Sequence, residues 1–317
     1  MKGTSAQLGI VIPAYKGNYL YQTLNSLANQ TDRRFNVYVA NDAGDDTIEH
    51  TIDLFRDRLA ITYKFFSKNI GSKSLVKAWH RAIELSQDEP WIWVLPDDDY
   101  ISDNCVEAFY TALDNKCDLY RFRSIAVNNN EEVILANEDF SGYEPSFIAY
   151  HKKIKLERMS SLAEYIFRRE KLLQIGGFPD YPFAWGSDDI AWYLIGRDNG
   201  IYALPKGVVY LRQSEHNISN NFDNKILLKK IKTQFQIFSD LKLTSSFETD
   251  ISKYADAVSF HKDLSFYLFH TIRSHKIIFP MKEALEMAHL SMKIFGGSFM
   301  KNLYRIFLSN YRIRKEK

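Results

Sequence analysis

Cysteine is almost missing from this chain of 317 residues; Cys105 and Cys117 stand alone. Two thiols without metal-site spacing exclude a disulfide-stapled fold and read as free thiols in a reducing compartment. Long apolar runs are missing as well. No stretch reaches the roughly 20 residues that a membrane-spanning helix needs, and the polar segment Met1 to Leu8 does not read as a signal peptide. A cytoplasmic protein is therefore expected. Neither charge dominates: 41 Lys+Arg face 39 Asp+Glu, a net +2, and no nucleic-acid partner is expected. There is no internal repeat and no low-complexity segment. A P-loop, a Gly-x-Gly-x-x-Gly fingerprint and a serine-hydrolase elbow are absent too, which removes the common phosphate-cradling, dinucleotide-binding and Ser-hydrolase classes.

What is present centres on Trp91-Ile92-Trp93-Val94-Leu95-Pro96-Asp97-Asp98-Asp99-Tyr100. The apolar run is too short for a helix and rich in aromatic and β-branched residues, so it predicts a buried strand. Pro96 ends it, because proline gives no N–H to a ladder. Three carboxylates then fall at the carboxyl end of a central strand, where open α/β sheets hold their ligands. Adjacent anions repel unless a cation screens them, and oxygen-rich turns suit Mg2+ or Mn2+. The blander reading is a solvated acidic turn before a helix.

The segment before this stretch alternates. Leu8–Pro13, Phe35–Ala40, Ile61–Phe66 and Trp91–Leu95 predict strands. Helical stripes lie between them: Leu20, Leu24 and Leu27; Ile48, Ile52, Phe55 and Leu59; Leu75, Ala78, Trp79, Ala82 and Ile83. Short loops join them, with Asn18 expected as the first helix cap. Strand and helix in alternation predict a mostly parallel sheet with helices on both faces. Further on, Ser102 is expected to cap a helix to Leu113, and Asp118–Val127 to form a strand. Asn128–Met159 reads as an irregular, partly basic loop. Ser160–Ile175 is ambiguous between a helix opened by a Ser161/Glu164 capping box and a strand at Tyr165–Phe167. Trp185-Gly186-Ser187-Asp188-Asp189 opens a helix, and Ile201–Leu211 is extended. Residues 221–317 read as a helical region carrying 17 Lys+Arg against 9 Asp+Glu, which leaves the first 220 at about −6 of the total +2. Its last segments mix apolar and basic residues at helical spacing. They are expected to pack on their own domain or on a second copy, or to lie on an anionic membrane surface at the inner face.

Seven short motifs occur in order: Ile12-Pro13-Ala14-Tyr15, Asn41-Asp42, Asn69-Ile70-Gly71, Leu95-Pro96-Asp97-Asp98-Asp99-Tyr100, Gly176-Gly177-Phe178, Ser187-Asp188-Asp189, and Tyr210-Leu211-Arg212 through His216-Asn217-Ile218-Ser219. Together they resemble the family 2 glycosyltransferases of the GT-A fold over roughly residues 8–220. The resemblance implies an α/β, Rossmann-like catalytic domain over 1–220, with a nucleotide-binding half to about 115 and an acceptor-side half over 116–220. A helical extension over 221–317 would follow. It implies an inverting transfer of a sugar from a nucleotide-sugar donor, most readily a UDP-sugar, to a glycan or lipid-linked saccharide in surface polysaccharide biosynthesis. By that resemblance Pro13, Ala14, Tyr15, Asp42, Asn69 and Gly71 would line the nucleotide. Asp97 and Asp98 would hold the ribose side. Asp98, Asp99 and His216 would serve a Mn2+ or Mg2+ ion, and Asp189, with Asp188 beside it, would be the catalytic base. Pro96 stands where the family often has its first acid, so the metal carboxylate is either Asp98 or Asp99. Lys16 likewise replaces a common Asn. The competing readings are a nucleotidyltransferase that makes nucleotide sugars and a non-catalytic nucleotide- or glycan-binding scaffold of the same fold.

Overall fold

The computed structural model describes residues 6–137, 141–213, 223–242, 244–274 and 276–315. The chain divides into two compact units. One comprises residues 1–149, 158–180 and 187–214; the other comprises 150–157, 181–186 and 215–317.

The first unit is built on a single twisted sheet. Its opening half alternates as expected: β1 (Leu8–Ala14), α1 (Leu20–Ala28), β2 (Phe35–Asn41), α2 (Thr47–Asp53), β3 (Ile61–Phe65), α3 (Leu75–Ile83) and β4 (Trp91–Val94). Then follow β5 (Tyr100–Ile101), α4 (Cys105–Ala112), β6 (Leu119–Val127), β7 (Val133–Ala136), β8 (Gly142–Glu144), α5 (Ser146–Ile154, of which residues 150–154 count with the second unit), β9 (Tyr165–Arg168), α6 (Arg169–Gln174), α7 (Ser187–Ile195) and β10 (Ile201–Arg212). The strand order is β3-β2-β1-β4-β9-β6-β10-β5, with β7 on β6 and β8 on β10. β3, β2, β1 and β4 pair in parallel. β9 is antiparallel to both β4 and β6. The chain steps from β1 outward to β3 and returns to β4 on the other flank of β1. That reversal opens a crevice beyond the carboxyl ends of β1 and β4.

Local chemistry explains these elements. β1 and β4 are covered on both faces, so they read as unbroken apolar runs. Pro13 lies within β1, which runs one residue further to Ala14. The Val11 carbonyl accepts the Leu95 N–H at 3.0 Å, so Pro13, two residues on, faces the side where β4 has ended and no N–H is needed. The Trp91 ring meets Phe109 and Tyr120, while Trp93 stacks on Phe122 at 4.7 Å and donates its indole N–H to the Ala163 carbonyl at 2.7 Å.

Three expectations change, and one open choice is decided. Ser102 does not cap α4: its hydroxyl accepts the Val208 N–H at 2.9 Å, and the cap position falls to Asn104. Asn18 does not cap α1 either, since Tyr19 takes that place. Residues 128–159 contain β7, β8 and α5 rather than one irregular loop. At 160–175, left open between the two, the strand forms over Tyr165–Arg168 and α6 follows only from Arg169, because Glu164 is drawn into a buried ion pair with Arg121 of β6 at 3.0 Å and is not available to cap a helix at Ser161.

The second unit is helical: α8 (Asn224–Lys242), α9 (Ser245–Tyr254), α10 (Ala257–Ser274), α11 (Met281–Phe295) and α12 (Phe299–Lys315). Leu227, Ile231, Phe235, Leu264, Leu268, Ile272, Met287, Ile294 and Ile306 are among its buried side chains. Among the described residues no helix is long and apolar enough to cross a membrane.

Candidate active site

The crevice at the ends of β1 and β4 is assembled by carboxylates that hold backbone. Asp97 Oδ2 accepts the N–H groups of Tyr15 at 2.8 Å and Lys16 at 2.9 Å. This pins the loop after β1 to the turn after β4 and leaves the Tyr15 ring 50% exposed at the edge. The Ala14 carbonyl in turn accepts the Asp42 N–H at 2.8 Å, so Pro13, Ala14, Tyr15, Asp42 and Asp97 form one bonded corner.

Asp42 is buried and closes the other side. Its oxygens accept the Ile70 N–H at 3.1 Å and the Gly71 N–H at 2.7 Å, and Arg81 of α3 donates to Oδ1 at 2.5 Å. The Arg81 guanidinium also lies over the Phe66 ring at 4.3 Å. Asn69 shapes the same turn by accepting the Ser72 N–H at 2.8 Å. A Cβ on Gly71 would stand 2.9 Å from Asp42 Oδ2, which is why glycine sits there.

Gly44 is tighter still. A Cβ there would lie 2.4 Å from the Tyr15 carbonyl oxygen, and backbone cannot swing aside as a side-chain tip can. Gly44→Ala is therefore expected to destabilise the protein by ~1–3 kcal/mol and to raise the donor KM through the displaced Tyr15 loop. Thermal denaturation and donor titration would check this; an unchanged melting temperature would contradict the contact.

The third element is Arg212, at the end of β10 and almost fully buried. Its backbone N–H reaches Asp99 Oδ1 at 2.9 Å, and its Nε reaches the Asp98 carbonyl at 3.2 Å. The guanidinium sits over the Tyr19 ring at 4.2 Å, bonds the Gln22 side chain, and donates to the Asn128 carbonyl at 3.4 Å. The turn leading into β7 is thereby tied to α1, where Tyr19 also bonds Asn129 at 3.0 Å and Gln22 bonds Glu131 at 2.6 Å.

Three adjacent acids make a strained electrostatic group. Burial, then the neighbouring Asp98 charge, pushes Asp97 up to about 7. Burial likewise raises Asp98, and burial with the Asp98 charge raises Asp99 well above the usual carboxylate range. Asp97 and Asp99 accept backbone N–H groups from the loop after β1 and from Arg212, whereas the Asp98 carboxylate is held by its own backbone N–H and by the charges of Lys16 and Arg212.

Among the described residues no three acid, imidazole or thiol groups converge as a ready-made metal cluster. Two neighbouring carboxylates on one turn are nonetheless what Mg2+ or Mn2+ uses when substrate phosphates complete its shell, so the residues fit such an ion. His216 lies outside the described residues. Asp188 and Asp189 occupy a separate element, the first turn of α7. Asp189 is buried there, one turn before Trp192, whose ring stacks at 4.8 Å on Tyr165 of β9, the neighbour of β4.

Arg81 and Gly44 carry no signal in the sequence that marks them. Arg212 is flagged by its motif, but its burial against the acid turn is not.

The model of glycosyl transferase family 2 matches residues 9–175, more than half of the chain. The chain belongs to this family. It is thus a glycosyltransferase, although no curated protein matches it in sequence. Among solved structures, this family 2 enzyme is similar to S. aureus TarS 1–349 in complex with UDP-GlcNAc, with a TM-score of 0.61 at 15% identity over 98% of this chain and 92% of that one. It is also similar to the mannosyltransferase PcManGT from Pyrobaculum calidifontis in complex with GDP-Man and Mn2+, with a TM-score of 0.55 at 12% identity over 98% and 88%. GalNAc-T7 with UDP, GalNAc and Mn2+ gives 0.53 at 11% identity over 86% and 58%. The fold shared by these glycosyltransferases is GT-A.

Proposed function

We propose that this glycosyltransferase transfers a sugar with inversion from a nucleotide-sugar donor to a hydroxyl of a glycan or lipid-linked saccharide, in the building of a surface polysaccharide. The observation that carries the reading is the acid turn at the switch point, where Asp97 grips the loop after β1 and Asp98 and Asp99 stand beside it on the same turn. UDP is the donor nucleotide we favour, because TarS is seen with UDP-GlcNAc and with UDP.

Pro13, Ala14 and the exposed Tyr15 ring border the base. Asn69 and Gly71 approach the nucleotide through backbone. Asp42 contributes by holding their turn, since two backbone N–H groups and Arg81 take up most of its acceptor capacity. Asp98 and Asp99 would hold a Mn2+ or Mg2+ ion, which when bound supplies Lewis-acid stabilisation of the departing diphosphate. Asp189 takes the proton of the attacking hydroxyl, with Asp188 beside it. A single displacement with one base and no protein nucleophile inverts the anomeric centre, unlike glycosidases that act on a sugar with two flanking carboxylates and water. The buried free thiols Cys105 and Cys117 suit a reducing compartment.

A thermal-shift panel of UDP-, GDP- and other nucleotide sugars with and without Mn2+ tests the reading. A ligand that binds only the native state raises the melting temperature by mass action, about 2.7 kcal/mol at a hundredfold excess over Kd. A UDP-sugar that does so only with Mn2+ supports it. No shift with any nucleotide sugar would sink it.

A further inference from the structure

We infer that the outward face of α12 docks on an anionic lipid surface. The inward face fixes how the helix is turned. Leu303, Ile306 and Ile313 are buried, Asn310 bonds both the N–H and the carbonyl of Phe279 at 3.0 and 2.9 Å, and Arg305 is spent on Ser265 at 2.8 Å and on the Phe269 and Phe295 rings. What remains outside is ordered by helical spacing. Met300, Tyr304, Phe307 and Tyr311 recur at steps of four, three and four residues. Met300 is 69% exposed, Tyr304 66% and Tyr311 55%. Lys301, Arg312 and Lys315 stand exposed along one border of that stripe and meet no carboxylate among the described residues.

Composition selects the occupant. α12 has Lys301, Arg305, Arg312, Arg314 and Lys315 and not one acid, and residues 221–317 carry 17 Lys+Arg against 9 Asp+Glu, a net +8. A second copy seated on this face would bring like charges together across a twofold axis, with no acid on the helix to answer them. Phospholipid headgroups supply the missing anions. Tyrosines and a methionine edged by cations form the profile of a helix lying in the headgroup plane. With few strongly apolar side chains the attachment is shallow, so it depends on charge.

The test is flotation of the full-length protein with vesicles, without donor, so that it stands apart from the proposed chemistry. Vesicles rich in phosphatidylglycerol should carry the protein, and pure phosphatidylcholine vesicles should not. About 1 M salt should release it, since screening then acts over only ~3 Å. The triple variant Lys301→Gln, Arg312→Gln, Lys315→Gln should lose on the order of 100-fold in partitioning, with unchanged circular dichroism. Tyr304→Ala with Tyr311→Ala should weaken it less. Absence of binding to phosphatidylglycerol vesicles, or equal binding by the triple variant, overturns the inference. So does a dimer in sedimentation velocity that the Tyr304→Ala, Tyr311→Ala protein no longer forms, which would give the face to a second copy.

Discussion

Asp189→Asn is expected to lower kcat about 10³-fold, within the range that general-base catalysis supplies, while donor affinity stays as it was. The substitution keeps size and shape but removes the negative charge and with it the capacity to take a proton. Asp189 lies buried in the first turn of α7, where the positive end of the helix favours negative charge. Were Asp189 merely a first-turn acid, the same change would cost roughly 0.3–2 kcal/mol in stability and nothing in rate. Single-turnover transfer, with donor binding measured by calorimetry, separates the two. Full turnover by the Asn variant would remove Asp189 from the mechanism.

The second large effect is expected at the acid turn. Asp98→Asn should weaken Mn2+-dependent donor binding by more than the roughly 10–100-fold that loss of an outer-shell partner costs. Asp98 is the carboxylate that pins no other segment of backbone, being held by its own N–H and by the charges of Lys16 and Arg212. Asp99→Asn should weaken it too, but should also loosen the end of β10, because Asp99 Oδ1 takes the Arg212 N–H. Asp97→Asn should instead act through the Tyr15 loop. Manganese titrations by calorimetry on the three variants would rank them; equal affinity in Asp98→Asn and wild type would move the ion elsewhere.

Proton linkage gives the same experiment a pH axis. With Asp97 near 7 and its neighbours also raised, the folded cluster holds protons that the unfolded chain has already lost above about pH 4. In the absence of a divalent ion these groups therefore make the protein less stable as pH rises from about 4 to 7. An ion must displace those protons, so its affinity should rise over the same window.

Much of this was legible before the fold was known. The four strand-and-helix steps follow from periodicity, and the acid turn follows from a short apolar run cut by proline. The links between motifs were not. Asp42 finds Ile70, Gly71 and Arg81, residues 28 to 39 positions away, and no local pattern encodes such a meeting. Glu164 is the sharper lesson. Its spacing from Ser161 satisfies a helix-capping signature, yet burial beside Arg121 offers the carboxylate a charged partner that a surface cap cannot match. Ser102 is similar, since an N–H of β10 competes for the oxygen that the helix would have used. Where short signals conflict, tertiary partners decide.

Arg212 couples places that differ in how freely they can vary. One end of its reach is a solvent-facing turn at residues 128–131, and the other is the backbone beside Asp98 and Asp99. Ordinary drift in that turn is therefore not neutral. Substitutions there would surface as altered ion requirement rather than as lost folding, and related enzymes that differ at this turn should differ in which divalent ion they prefer.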